Sequence, residues 1–139
     1  MKLWMDAEFN GWSGELISLA LVPEFGNPFY EVLPCPNPVE WVKHNVIPFL
    51  NKQPIDIPTF KQRLGEYLRQ WNEVHIVATW PSDFVHLMNS LIVSDGVVTK
   101  KPKIVMEMPI PTREGVEMMM KYATHNALDD ATVLKVIHP

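Results

Sequence analysis

Two short segments near opposite ends of the chain hold residue types that do metal and hydrolytic chemistry: Asp6-Ala7-Glu8-Phe9-Asn10-Gly11 and His125-Asn126-Ala127-Leu128-Asp129-Asp130-Ala131. In the first, two carboxylates stand two residues apart just after the apolar run Leu3, Trp4 and Met5. Side chains two apart on a strand share a face, so both acids can grip a cation together. In the second, an imidazole stands five residues ahead of an acid, where Ala127, Leu128, Ala131, Leu134 and Val136 begin a helical pattern. Hard carboxylate oxygens suit Mg²⁺ or Mn²⁺, and an imidazole, with an ordinary pKa of about 6.5, exchanges protons near neutrality. The chemistry on offer is metal-assisted hydrolysis.

These groups must be positioned by elements that the pattern predicts. Strands are expected over Lys2 to Phe9, Glu15 to Pro23 and Phe29 to Leu33, with Gly11, Gly14 and Gly26-Asn27-Pro28 supplying the connections. Strands so close in sequence form an antiparallel meander most simply. A helix is expected over Val39 to Lys52, bent or ended early by Pro48. A second, Thr59 to Asn72, is capped by Thr59 and carries the apolar stripe Phe60, Leu64, Tyr67, Leu68 and Trp71. The β-branched run Val74 to Trp80 reads as a buried parallel strand ending at Pro81, a place where function often sits. A helix capped by Ser82 then runs from Asp83 to about Leu91, a last strand covers Lys103 to Met108, and helices begin at Thr112 and Ala127, the latter ending at Ile137. Meander first and alternating helices and strands after give an α/β fold of the ribonuclease H-like order, a mixed sheet of about five strands flanked by helices.

Length and composition are consistent with one domain over residues 1–139: 47% hydrophobic content supports one sizeable core and the chain is too short for two ordinary ones. No apolar run approaches the roughly 20 residues that cross a bilayer, and the start lacks a signal peptide's pattern, so a cytoplasmic protein without membrane contact is expected. Cys35, between Pro34 and Pro36, is the only cysteine, which excludes an internal disulfide and a multi-cysteine zinc site. The net charge of −4 argues against wrapping a long duplex. Two divalent cations on the acids would bring it to about zero and concentrate positive field where a phosphate must sit. The most basic patch is Lys100-Lys101-Pro102-Lys103.

The first segment resembles the opening motif of the DEDDh 3′-to-5′ exonucleases, an Asp-x-Glu ending the first strand, and His125 to Asp130 is similar to their last. Trp80-Pro81-Ser82-Asp83-Phe84 puts Asp83 where that family has its middle acid. Glu15-Leu16-Ile17-Ser18 and Trp41-Val42-Lys43-His44-Asn45-Val46-Ile47-Pro48 look like the compact exoribonucleases typified by the mycobacterial adenylate-specific enzyme. Positions commonly Thr and Asn in the family hold Asn10 and Thr79 here. The resemblance implies two-metal-ion hydrolysis of a phosphodiester, with ions roughly 3.5 to 4 Å apart. Asp6 would bridge them, Glu8 and Asp130 would complete the site nearer the nucleophile, and Asp83 would hold the second ion. His125 would be the general base, and Phe9, Asn10, Gly11 and Trp12 would contact the substrate end. It further implies a single-stranded RNA 3′ end as substrate, nucleoside monophosphates as products, and a homodimer. A DNA-directed exonuclease of the same chemistry, or a non-catalytic nucleic-acid-binding protein, are the alternatives.

Each feature taken alone has a plainer reading. An isolated Asp-x-Glu is ordinarily solvated surface, and a His before a helix is ordinarily a cap or packing residue. His44, His75, His86 and His138 are read that way, and Met118-Met119-Met120 as core filler. Asp129 is expected to face away from Asp130's partners. The order of the five residues on the expected elements is what sets the constellation apart.

Overall fold

The computed structural model describes residues 1–139. Its elements run β1 (Lys2–Phe9), β2 (Leu16–Pro23), β3 (Phe29–Val32), α1 (Glu40–Asn45), a 3₁₀ turn (Ile47–Phe49), α2 (Ile57–Leu68), β4 (Glu73–Val77), α3 (Pro81–Ser90), β5 (Ile92–Ser94), β6 (Val97–Val98), β7 (Lys103–Glu107), α4 (Arg113–Tyr122) and α5 (Ala127–Ile137). The main sheet has the order β3-β2-β1-β4-β7. β2 is antiparallel to both neighbours, while β1, β4 and β7 are parallel. This is the ribonuclease H-like arrangement that the element order implied, an α/β sandwich with helices on both faces of a mixed sheet.

Strand alternation decides which helix covers which face. Leu3, Met5 and Ala7 of β1 point to one side, where they join Leu19 and Leu21 of β2, Phe60, Leu64 and Leu68 of α2, and Leu87 of α3 in the main core. Trp4, Asp6 and Glu8 point to the other side. Opposite them in β2 stand Val22, Ala20 and Ser18. This second face is covered by α5, through Ala127 and Ala131 against Ala20 and Val22, and Leu134 against Trp4 and Val77. Small side chains on both partners bring the α5 backbone close to the sheet, which carries Asp130 toward the β1 acids.

Several boundaries depart from the sequence reading. The helix expected over Val39 to Lys52 is only α1 plus a 3₁₀ turn, because Pro48 cannot donate within a helix. α2 starts earlier than Thr59: the Asp56 carboxylate caps it by accepting from the Thr59 N–H at 2.8 Å, and Pro58 fits the first turn. β4 stops at Val77, and Trp80, not Ser82, is the N-cap position of α3, with no side-chain cap. The β5–β6 hairpin was not anticipated, although Asp95-Gly96, with Gly96 at φ +70°, is a hairpin turn signal between β-branched residues. Met118 and Met119 are only half-buried and Met120 is 82% exposed, so this run is not core filler.

Candidate active site

Three elements that are distant in sequence deliver the five expected residues to one cavity of about 440 Å³, lined by Asp6 and Glu8 of β1, Asp83 of α3, Asp130 of α5 and His125 just before it. Ligand atoms of Glu8, His125 and Asp130 lie within 4.8 Å of one another. Asp83 enters from the third position of α3, near the positive end of the helix. Backbone N–H groups of Ala7 and Trp80 stabilise its anion, yet burial pushes its pKa up to about 7. Asp130 accepts from the Thr124 N–H at 2.8 Å.

His125 stands outside α5 in the left-handed region, at φ +59°. Such a backbone conformation is uncommon for a residue with a side chain and persists only where the surroundings impose it. Here the next residue supplies the constraint. Asn126 caps α5 by accepting from the Leu128 and Asp129 N–H groups at 3.0 and 3.2 Å, and its amide donates to the Phe49 carbonyl at 2.8 Å. The start of α5 is thus pinned to the 3₁₀ turn. The His125 ring meets Trp41 edge-on, with centroids 5.0 Å apart. Asp129 accepts from the Thr124 hydroxyl at 2.9 Å and stays outside the cavity, as its position next to Asp130 implied.

The cluster concentrates buried negative charge. Burial, followed by the charges of Asp83, Glu8 and Asp130, holds Asp6 well above the usual carboxylate range. Burial and then Asp130 and Asp83 push Glu8 up to about 8. Burial also raises Asp130, against the opposing pull of the Thr124 N–H and His125. Buried Asp6 Oδ2 and Asp83 Oδ2 have no hydrogen-bond partner in the protein. Such orphaned acceptors cost about 1–3 kcal/mol each, more when charged, unless something satisfies them. Oxygen donors, crowded negative charge and unpartnered acceptors fit hard divalent cations such as Mg²⁺ or Mn²⁺, held by Asp6, Glu8, Asp83 and Asp130.

The expected substrate contacts divide. Phe9, Gly11 and Trp12 line the cavity, with Trp12 81% exposed. Asn10, expected to contact the substrate end, does not line it. Its amide donates to Glu15 Oε1 and the Asn37 carbonyl, and its Oδ1 accepts from the Val39 N–H, so it tethers the β1–β2 connection to the segment leading into α1. Trp80 and Trp41 also line the cavity, and neither was given that role from sequence. Trp80 faces Trp12 with ring centroids 5.8 Å apart. Its place between a strand end and Asp83 was the available signal. Cys35 lies elsewhere, and burial raises its thiol to about 11, which removes it as a nucleophile. No model of a known protein family and no curated protein sequence matches this chain.

Proposed function

We propose that the protein is a metal-dependent 3′-to-5′ exonuclease that removes nucleoside monophosphates from single-stranded RNA. The observation that carries this reading is the meeting of four carboxylates and one imidazole in one cavity whose rim presents exposed tryptophans. Divalent cations bound there would supply an activated water and offset charge on the departing 3′-oxygen. The chain's own part is to hold and to orient. Asp6, Glu8, Asp83 and Asp130 furnish the anionic oxygens, and Trp12 and Trp80 offer faces on which a terminal base can stack. His125 takes the proton of the attacking water as the new P–O bond forms. The bond from phosphorus to the 3′-oxygen then breaks, and solvent protonates the released strand end.

A cavity with this rim suits an unpaired terminus better than a duplex, and the net charge of −4 points the same way. The choice of RNA over DNA rests on the resemblance to the compact exoribonucleases. It is tested with matched RNA and DNA oligonucleotides, since the 2′-hydroxyl is the systematic difference between them. Faster turnover of RNA supports the proposal. Equal rates on both would leave an exonuclease without the proposed sugar preference.

A further inference from the structure

The active-site cavity does not end at the tryptophans. Phe9 and Trp12 also line a second, larger groove of about 750 Å³ that runs between the β1–β2 connection, α2 and α3. Ile57 and Lys61 of that groove line in turn a third cavity, of about 460 Å³, which reaches Arg69 and Thr99. We propose that this chain of grooves is the path of the upstream RNA, with Lys61, Arg69 and the Lys100-Lys101 run as its phosphate contacts. The inference rests on the exonuclease reading for its direction, with the 3′ end at the carboxylates.

Three observations carry it. First, the path leads from aromatic to basic surface, the combination that binds single strands without base pairing. Phe9 and His86 stack at its start, with centroids 4.9 Å apart and planes 28° from parallel. Second, the cations along it carry no ion pair. Lys61 donates to the Ile92 carbonyl at 2.6 Å, and Arg69 to the Lys100 carbonyl at 3.4 Å, but neither pairs with a carboxylate. Glu15, at the near end of the larger groove, is the one acid lining the path, and the third cavity beyond it carries Lys61 and Arg69 with no acid, which is informative in a chain of net charge −4. Third, the competing exit offers only a tied cation. A groove reached through Leu33 and Pro34 has Lys52, whose ammonium donates to the Tyr30 carbonyl at 2.6 Å and pairs at 3.2 Å with Glu31, a carboxylate that Arg63 shares at 3.0 Å. The same bonds from Lys61 and Arg69 hold the β5–β6 hairpin and its following segment against α2, which places exposed Lys100 and Lys101 beyond Arg69.

The test is fluorescence anisotropy with a single-stranded RNA octanucleotide whose 3′-terminal linkage resists hydrolysis, in Mn²⁺, as a function of salt. The double variant Lys61→Gln/Arg69→Gln is expected to weaken binding by about tenfold. Its plot of log K against log salt should be shallower by about 1.4, from two contacts at about 0.7 each. Lys100→Gln/Lys101→Gln, on exposed residues that cannot unfold the protein, should shift both quantities in the same sense. Lys52→Gln should leave the wild-type slope. An unchanged slope in both double variants, or the same loss in Lys52→Gln, overturns the path. Hydrolysis of the natural strand with an unaltered slope keeps the exonuclease reading and removes the path. The slope change without any hydrolysis keeps the path and removes the exonuclease.

Discussion

Replacing Glu8 by Gln should stabilise the metal-free protein while destroying its response to metal. In the unfolded chain Glu8 ionises near the ordinary value of 4.5, whereas burial, Asp130 and Asp83 raise it to about 8 in the fold. Between those values the folded protein holds a proton that the unfolded chain has released. The stability is therefore full below pH 4.5, is lost as pH rises toward 8, and levels off above it. Each unit of separation is worth about 1.4 kcal/mol, so the ceiling is about 5 kcal/mol. Repulsion shared with Asp83 and Asp130, and water entering the cavity, reduce this to about 2–3 kcal/mol. Metal-free Glu8→Gln should then melt about 10 °C above wild type at pH 8 and close to it at pH 4.5. The difference between the two proteins reports Glu8 together with the repulsion it removes from Asp6, because Asp56, Glu73 and Glu107, lowered by their own partners, act equally in both and with the opposite sign. In Mn²⁺ the wild type should gain about 1.4 kcal/mol per decade of metal above Kd, and the variant far less. Calorimetry in EDTA and in Mn²⁺ at both pH values measures all of this. A wild type as stable as the variant at pH 8 without metal, or an equal Mn²⁺ gain in both, would refute the reasoning.

Other expected outcomes address single residues. Asp6→Asn and Asp130→Asn should each abolish hydrolysis with an intact circular dichroism spectrum, since an amide cannot replace an anionic metal ligand; near-normal turnover in saturating Mn²⁺ would exclude the site. His125→Ala should lose about 10²- to 10⁴-fold in rate and retain Mn²⁺ binding, whereas near-wild-type turnover would make His125 a structural residue. Asn126→Ala removes the α5 cap and the tie to Phe49, and should cost about 2 kcal/mol in urea unfolding; a loss within about 0.5 kcal/mol would show that the tie is not holding α5.

Much of this architecture is written in local pattern, because alternation and helical spacing report directly on which face is buried. The β1 acids are readable for that reason: Asp6 and Glu8 fall in phase with Trp4, opposite Leu3, Met5 and Ala7. The ends of elements were less legible. Asp56 outcompeted Thr59 as the α2 cap because an acid three residues earlier can accept from the Thr59 N–H itself. Asn10 could not be assigned from its neighbours, since its partners Asn37 and Val39 come from a different loop. Trp41 and Trp80 join the cavity only because α1 packs on β2 and β3 while α3 starts beside β1, and no periodicity encodes that. The closeness of α5 to the sheet has a faint trace in Ala20, Ala127 and Ala131, but small residues reveal a close approach only once their partners are known.

The central claim is tested most directly with a 5′-labelled single-stranded RNA and purified protein in Mg²⁺ or Mn²⁺, read at single-nucleotide resolution. The account predicts a ladder that retreats stepwise from the 3′ end, releases nucleoside 5′-monophosphates and is blocked by a 3′-phosphate. Internal fragments, cleavage of a circular RNA, or an intact strand at saturating metal would contradict it.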